Sequence, residues 1–242
     1  MSAYDGAGPA GLSVFGVPGM PEVEPGADLA GLIAAHALPA LRDGDVVVVT
    51  QKIVSKAEGR LVAFEGDSPE ARRRLAESEA VRVLRRRGDL VVTETRHGFV
   101  CANSGVDLSN VAEGVAALLP LDPDRSARRI RDGLRARAQV EVGVVVSDTF
   151  GRPWRRGVTD VAIGSAGIRP VLDLRGTPDA LGRTLVATEI CVADEIAAAA
   201  ELAMGKASGV PVAIVRNLPA RMLGDGSVAA DVVRRPAEDL FR

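Results

Sequence analysis

Four segments of the chain hold residues whose types and spacing suit chemistry. The first is Ser147 to Gly157, SDTFGRPWRRG. There an apolar run gives way to Asp148 and Thr149, then to a Gly/Pro loop with Arg152, Arg155, Arg156 and the only tryptophan. A carboxylate and a hydroxyl are hard oxygen donors suited to Mg2+ or Mn2+. Guanidinium forks match phosphate or carboxylate groups. The structural alternative is an aspartate capping a loop and an arginine pairing with Asp160. The second segment is Thr50 to Arg60, TQKIVSKAEGR. If a helix begins here, its free N–H groups and the lysines make an anion site. Lys52 and Lys56, four apart, would then share one face. The alternative is an ordinary solvated helix start.

The third segment, His97 to Asn110 (HGFVCANSGVDLSN), ends in Asp107, Ser109 and Asn110. Asp107 is a candidate second carboxylate on a metal, and Asn110 a candidate partner for a base or ribose. His97 reads first as a packed or capping residue, and His36, in an alanine-rich stretch, as structural. The fourth is Met204 to Pro211, MGKASGVP, where Gly205 and Lys206 begin a loop able to close over phosphates. A helix ending in glycine explains that loop equally well. Together the four segments suggest metal-assisted handling of a phosphorylated ligand without identifying the reaction. No GxxxxGK[ST], GxSxG or HExxH pattern is present, and no GxGxxG follows a strand, so the commoner nucleotide-binding and hydrolase folds gain no support.

The elements that must position these residues follow from periodicity and punctuation. Strands are predicted at Leu12–Val17, Asp45–Thr50, Leu90–Thr95, Phe99–Ala102, Val140–Val146, Asp160–Ala166, Pro170–Leu174 and Pro211–Val215. The runs DVVVVT and VEVGVVV are apolar on successive residues, as in strands covered on both faces. Helices are predicted at Leu29 to about Ala37 with Asp28 as cap, from Ser68-Pro69 to about Arg87, at Pro123–Ala138 and at Ala193–Met204. Strands and helices mix without a strict alternation. That predicts an α+β fold: a mixed sheet with flanking helices and a smaller helical subdomain.

The chain has 242 residues, 47% of them hydrophobic but only 3% aromatic, so its core is aliphatic. A formal charge of −2 excludes a general nucleic-acid binder, which needs a basic face. Two distant cysteines, Cys101 and Cys191, make neither a disulfide framework nor a zinc motif. No signal peptide or membrane span is legible, and the chain is expected to be cytoplasmic.

The run Gln51 to Arg60 (QKIVSKAEGR) resembles a signature of the coenzyme F420-0:L-glutamate ligases, the F420-0 γ-glutamyl ligases. So do Ser104–Asp107 through Asn110, Ser147–Arg152 with Trp154 and Arg155, Asp160–Gly167, and the helix opening Ala193-Asp194-Glu195. The likeness spans roughly Val14 to Arg216. It implies a homodimer that binds GTP and Mg2+ or Mn2+, with K+ a further candidate, and that joins L-glutamate to F420-0 through an acyl phosphate. Carried over, Met20, Pro21, Glu22, Val23, Gln51, Lys56 and Asn110 would contact GTP, with Gly205 and Lys206 covering the nucleotide. Asp107 and Asp148 would hold one metal, and Thr149 would contact a second. Lys56, Asp148, Arg152 and Arg155 would serve catalysis. A ligase domain is expected at residues 12–218, between a loose tail at 1–11 and an extension or linker at 219–242, the last two read from the sequence pattern. Actinobacterial relatives continue into a flavin-binding domain, and no flavin site is expected in this chain. Two alternatives stay open: an amide ligase for another carboxylate, and a nucleotide-binding homologue without activity.

Overall fold

The computed structural model describes residues 11–37, 40–64, 68–109 and 111–239. In chain order the strands are β1 (Ser13–Gly16), β2 (Val46–Thr50), β3 (Leu61–Ala63), β4 (Ala80–Arg87), β5 (Leu90–Thr95), β6 (Val100–Ala102), β7 (Val115–Ala117), β8 (Gly143–Gly151), β9 (Val158–Ala166), β10 (Val171–Asp173), β11 (Glu189–Cys191) and β12 (Val212–Arg216). The helices are α1 (Leu29–His36), α2 (Gln51–Ala57), α3 (Pro69–Ser78), α4 (Pro123–Ala138), α5 (Val192–Met204) and α6 (Val228–Asp231). The fold is α+β.

The main sheet runs β1-β12-β2-β8-β9, and only the β2–β8 pair in it is parallel. Its strands are apolar on successive residues because both faces are covered. Val47, Val49, Val144, Val146 and Ile214 meet Leu29 and Ile33 of α1 and Ala127, Ile130 and Leu134 of α4. Val46, Val48, Val145, Ala213 and Val215 face Ile196, Ala197, Ala200 and Met204 of α5, with Val228 of α6. The caps act as the sequence requires: Asp28, Ser68 and Asp122 each accept a hydrogen bond from a backbone N–H three residues on. Helix α4 starts so close to β9 that a Cβ on Gly164 would lie 2.3 Å from the Pro123 carbonyl carbon. Buried Asp124 joins the layers there, accepting from the N–H groups of Ser165, Val228 and Ala229. The segment after Leu218 is therefore packed onto this body, with Val228 fully buried.

The helix expected from Ser68 to about Arg87 ends at Ser78, and Ala80–Arg87 is strand β4 instead. Gly88, with φ +58°, and Asp89 form a two-residue turn that pairs Arg87 with Leu90. Such a turn takes glycine at the positive-φ position and locks a hairpin. The arginines of β4 thus line an exposed strand, where a helical face was expected. The three-stranded sheet β4-β5-β6 carries α3, and its buried Ser104 donates to Ala76 O and Thr93 Oγ1. Among the described residues, the short ribbons β3-β7 and β10-β11 are the remaining sheets. The apolar run predicted over Val140–Val146 is part of a strand that continues to Gly151, so Asp148 and Thr149 stand on β8, as their place at the strand's end suggested.

Candidate active site

The carboxyl ends of the parallel pair lie side by side, with Thr50 of β2 opposite Ser147 of β8. Strand ends of this kind are where open sheets receive ligands. A cleft of about 700 Å3 opens there. Its walls include Met20 to Val23, Gln51, Lys52 and Lys56, Asp107, Asp148 and Thr149, and Gly205 and Lys206. Four segments separated by up to about 150 residues in sequence are thus gathered around one space, as their chemistry suggested. Arg152 and Arg155 are not brought there. They sit exposed in the loop at the tip of the β8–β9 hairpin, where Arg152 Nη2 donates to Arg156 O. Asn110 lies outside the described residues. His97 does not line the cleft: its Nε2 approaches Pro120 O and Leu121 O, its ring stacks on Phe99, and burial holds its pKa below the ordinary histidine value.

Helix α2 follows β2 directly, and the lysines point into the cleft. Lys52 Nζ lies 2.9 Å from Asp107 Oδ2 and donates to Ser109 Oγ at 2.6 Å. Lys56 is 7% exposed and pairs with Glu22. Gln51 donates to Ser55 Oγ and Leu118 O, while its own buried Oε1 has no partner among the described residues. That carbonyl is an acceptor awaiting a donor.

Two acidic residues that the sequence did not single out as site residues also face the cleft, Asp160 and Glu201. Asp160 is 2% exposed and accepts from Ser147 Oγ at 2.9 Å and from Thr149 Oγ1 at 2.5 Å. A one-residue β-bulge sets this up: Val146 faces Gly164, but Ser147 faces Ala162. After the bulge Thr149 is opposite Asp160. Without it Thr149 would face Val161, and the carboxylate would point to the other side of the sheet.

The surroundings shift the two carboxyls in opposite directions. Burial pushes Asp107 up, but hydrogen bonds from Lys52 and Ser109 outweigh it and hold the group below the usual carboxylate range. Burial, joined by repulsion from Asp107 and Asp160, pushes Asp148 up to about 7, against the opposing hydrogen bond from Thr149 N–H. Among the described residues no group of three or more His, Cys, Asp or Glu side chains is gathered for a metal ion. The donors available are hard oxygens, two of them the mutually repelling carboxylates of Asp107 and Asp148. Mg2+ is commonly held by one or two carboxylates, with water and phosphate oxygens completing its shell. The donor set fits an ion of that class.

The family model for F420-0:gamma-glutamyl ligase matches residues 19–217. The chain belongs to this family. Coenzyme F420:L-glutamate ligase of Methanothermobacter thermautotrophicus is 44% identical over 96% of this chain and 99% of its own length. The protein of the same name from Methanopyrus kandleri is 42% identical over 96% and 98%, and that from Methanococcus maripaludis 39% over 88% and 90%. The matched span of the family model takes in Met20 to Val23, both lysines of α2, and the segments carrying Asp107, Asp148 and Lys206. The resemblance drawn from the motifs thus covers the walls of the cleft as well as the core.

Proposed function

We propose that the chain joins L-glutamate to coenzyme F420-0 through an amide bond, using GTP and a divalent cation. The observation that carries this reading is the composition of the cleft: lysines 52, 56 and 206 interleaved with carboxylates at the ends of two parallel strands. The relatives are named for L-glutamate ligation of coenzyme F420, which supports the choice of substrates.

A carboxylate does not react with an amine, because its oxygen is a poor leaving group. In the proposed reaction a carboxylate oxygen of F420-0 attacks the γ-phosphorus of GTP. The bond from that phosphorus to the β–γ bridging oxygen breaks, and GDP departs with the electron pair. The amino group of glutamate then attacks the acyl phosphate carbonyl, phosphate leaves, and the amine loses its proton to solvent. When bound to Asp107 and Asp148, a divalent cation would neutralise phosphate oxygens. Lys56 exchanges Glu22 for a phosphate, and Lys52 and Lys206 add positive charge above the strand ends. Met20 to Val23 flank the nucleotide, and the unpartnered Gln51 Oε1 accepts from a base or ribose donor. Asn110 and Gly205 contact the same ligand. Arg152 and Arg155 stand on a projecting loop beside Trp154, which is 87% exposed. The chain is proposed to act as a homodimer, and a monomeric mass in sedimentation would reject this.

Metal binding is expected to depend on pH through Asp148. The ion needs the carboxylate, so its affinity falls as pH drops through about 7, by roughly tenfold per unit well below that value. Titration with Mn2+ at pH 8, 7 and 6 checks it. A pH-independent affinity would remove Asp148 from the metal site.

The deciding experiment combines GTP, Mg2+ or Mn2+, F420-0 and L-glutamate, followed by mass spectrometry and GDP release. A product heavier by glutamate that requires both nucleotide and metal supports the reading. Metal-dependent GTP binding without this product redirects it to another carboxylate acceptor. No GTP binding rejects it.

A further inference from the structure

The Lys206 ammonium lies in a cage of oxygens. It is hydrogen-bonded to Thr149 Oγ1, lies 3.4 Å from Asp160 Oδ1 and 3.7 Å from Glu201 Oε1, and comes from a different element than either strand oxygen. The local structure aims it there. Helix α5 ends at Gly205, whose φ of +61° turns the chain back over the cleft, and Glu201 stands in the helix's last turn. The bulge in β9 brings Asp160 opposite Thr149 on the same side. Hydroxyl and carboxylate oxygens around one positive centre make the environment that a divalent ion takes in other proteins.

Charge balance leads the same way. The charged side chains lining the cleft are Glu22, Asp107, Asp148, Asp160 and Glu201 against Lys52, Lys56 and Lys206. Lys52 is taken by Asp107 and Lys56 by Glu22. Lys206 serves Asp160 and Glu201 together, so with all five carboxylates ionised, as metal binding requires of Asp148, the cleft is short of two positive charges. One divalent ion supplies that deficit. A second would have to enter a cage that already holds an ammonium, at the cost of like-charge repulsion in a partly desolvated site.

We propose that Lys206 is a tethered cation: its ammonium fills the oxygen cage of Thr149, Asp160 and Glu201, so the chain loads one divalent ion and not two. The inference rests on the metal-dependent reading above only for the first ion, at Asp107 and Asp148. Thr149 then meets the nucleotide's phosphates through Lys206 and not through a second metal. A lysine in this role is not lost by chelation, and its reach is set by Gly205.

The test is the number of Mn2+ ions bound per chain, read from the free-Mn2+ paramagnetic resonance signal during titration without nucleotide. The wild type is expected to bind about one. Lys206→Met keeps the stem and removes the charge, and is expected to bind about two. Lys206→Arg should stay near one, and Lys206→Met with Glu201→Gln should lose at least tenfold in affinity for the added ion. Two ions in the wild type, or no gain in Lys206→Met, overturns the proposal. No ion in the wild type but one in Lys206→Met supports the cage while rejecting the first metal site. No ion in either rejects both.

Discussion

Asp148→Asn is expected to lower turnover by about 10²–10³-fold while leaving the chain folded, and to make the metal-free protein more stable at pH 8. The two effects have one cause. The wild-type carboxyl is held up to about 7 by burial and by Asp107 and Asp160. The folded chain therefore keeps this proton at pH values where the unfolded chain has released it. More protons bound in the folded state means that stability falls as pH rises, here across the window from about pH 4 to about 7. Full conversion of the shift would give about 4 kcal/mol. Asp148 is partly open to the cleft, so screening leaves an expected gain of about 1–2 kcal/mol. In a chain this size that raises Tm by a few degrees. A divalent ion reverses the comparison by stabilising only the wild type. Melting curves at pH 8 with and without Mn2+, beside a turnover assay, test both parts. An unfolded variant, or turnover within a few-fold of wild type, would rule out the role given to Asp148.

Arg216→Met is expected to cost about 3–5 kcal/mol in urea denaturation. Arg216 ends β12 and is 7% exposed. Its Nε and Nη2 each donate to Asp45 at 2.7 Å, Nη2 also donates to Ala40 O, and the guanidinium lies 5.5 Å from the centre of the Phe15 ring. Asp45 in turn accepts from Arg42 N–H. Removing the arginine leaves a 1% exposed carboxylate without its cation. The penalty is for that orphaned charge more than for the lost pair. Asp45→Asn added to Arg216→Met should thus cost less than the sum of the single changes, which a double-mutant cycle measures. Additive losses would mean that the pair is not coupled.

Much of the scaffold was legible because the sequence states it locally. The valine runs of β2 and β8 announced strands covered on both sides, and Asp28, Ser68-Pro69 and Pro123 marked helix starts that the structure keeps. The α3–β4 segment was misread because helical residues run without a break into AVRVLRRR. Only pairing with β5 across Gly88-Asp89 makes that stretch a strand. The polar segments after the strands stood out by residue type as candidates for chemistry, and the fold gathers Gln51, Lys56, Asp107, Asp148 and Lys206 from them around one cleft.

Sequence by itself determined the main strands and helix starts of the scaffold, that an aliphatic core could form, and which carboxylates and lysines were available for chemistry. Residue types and their periodicity are local properties, and the motifs carrying the family resemblance are local too. Tertiary structure alone decided the partners. Lys52 meets Asp107, Lys56 meets Glu22, and Lys206 meets Asp160 and Glu201, because parallel pairing of β2 with β8 and the turn at Gly205 bring distant segments together. Asp160 is the clearest case. A single extra residue in β9 puts its carboxylate opposite Thr149. Strand side chains alternate faces, so that one-residue offset, invisible in the sequence, decides whether the carboxylate faces the cleft.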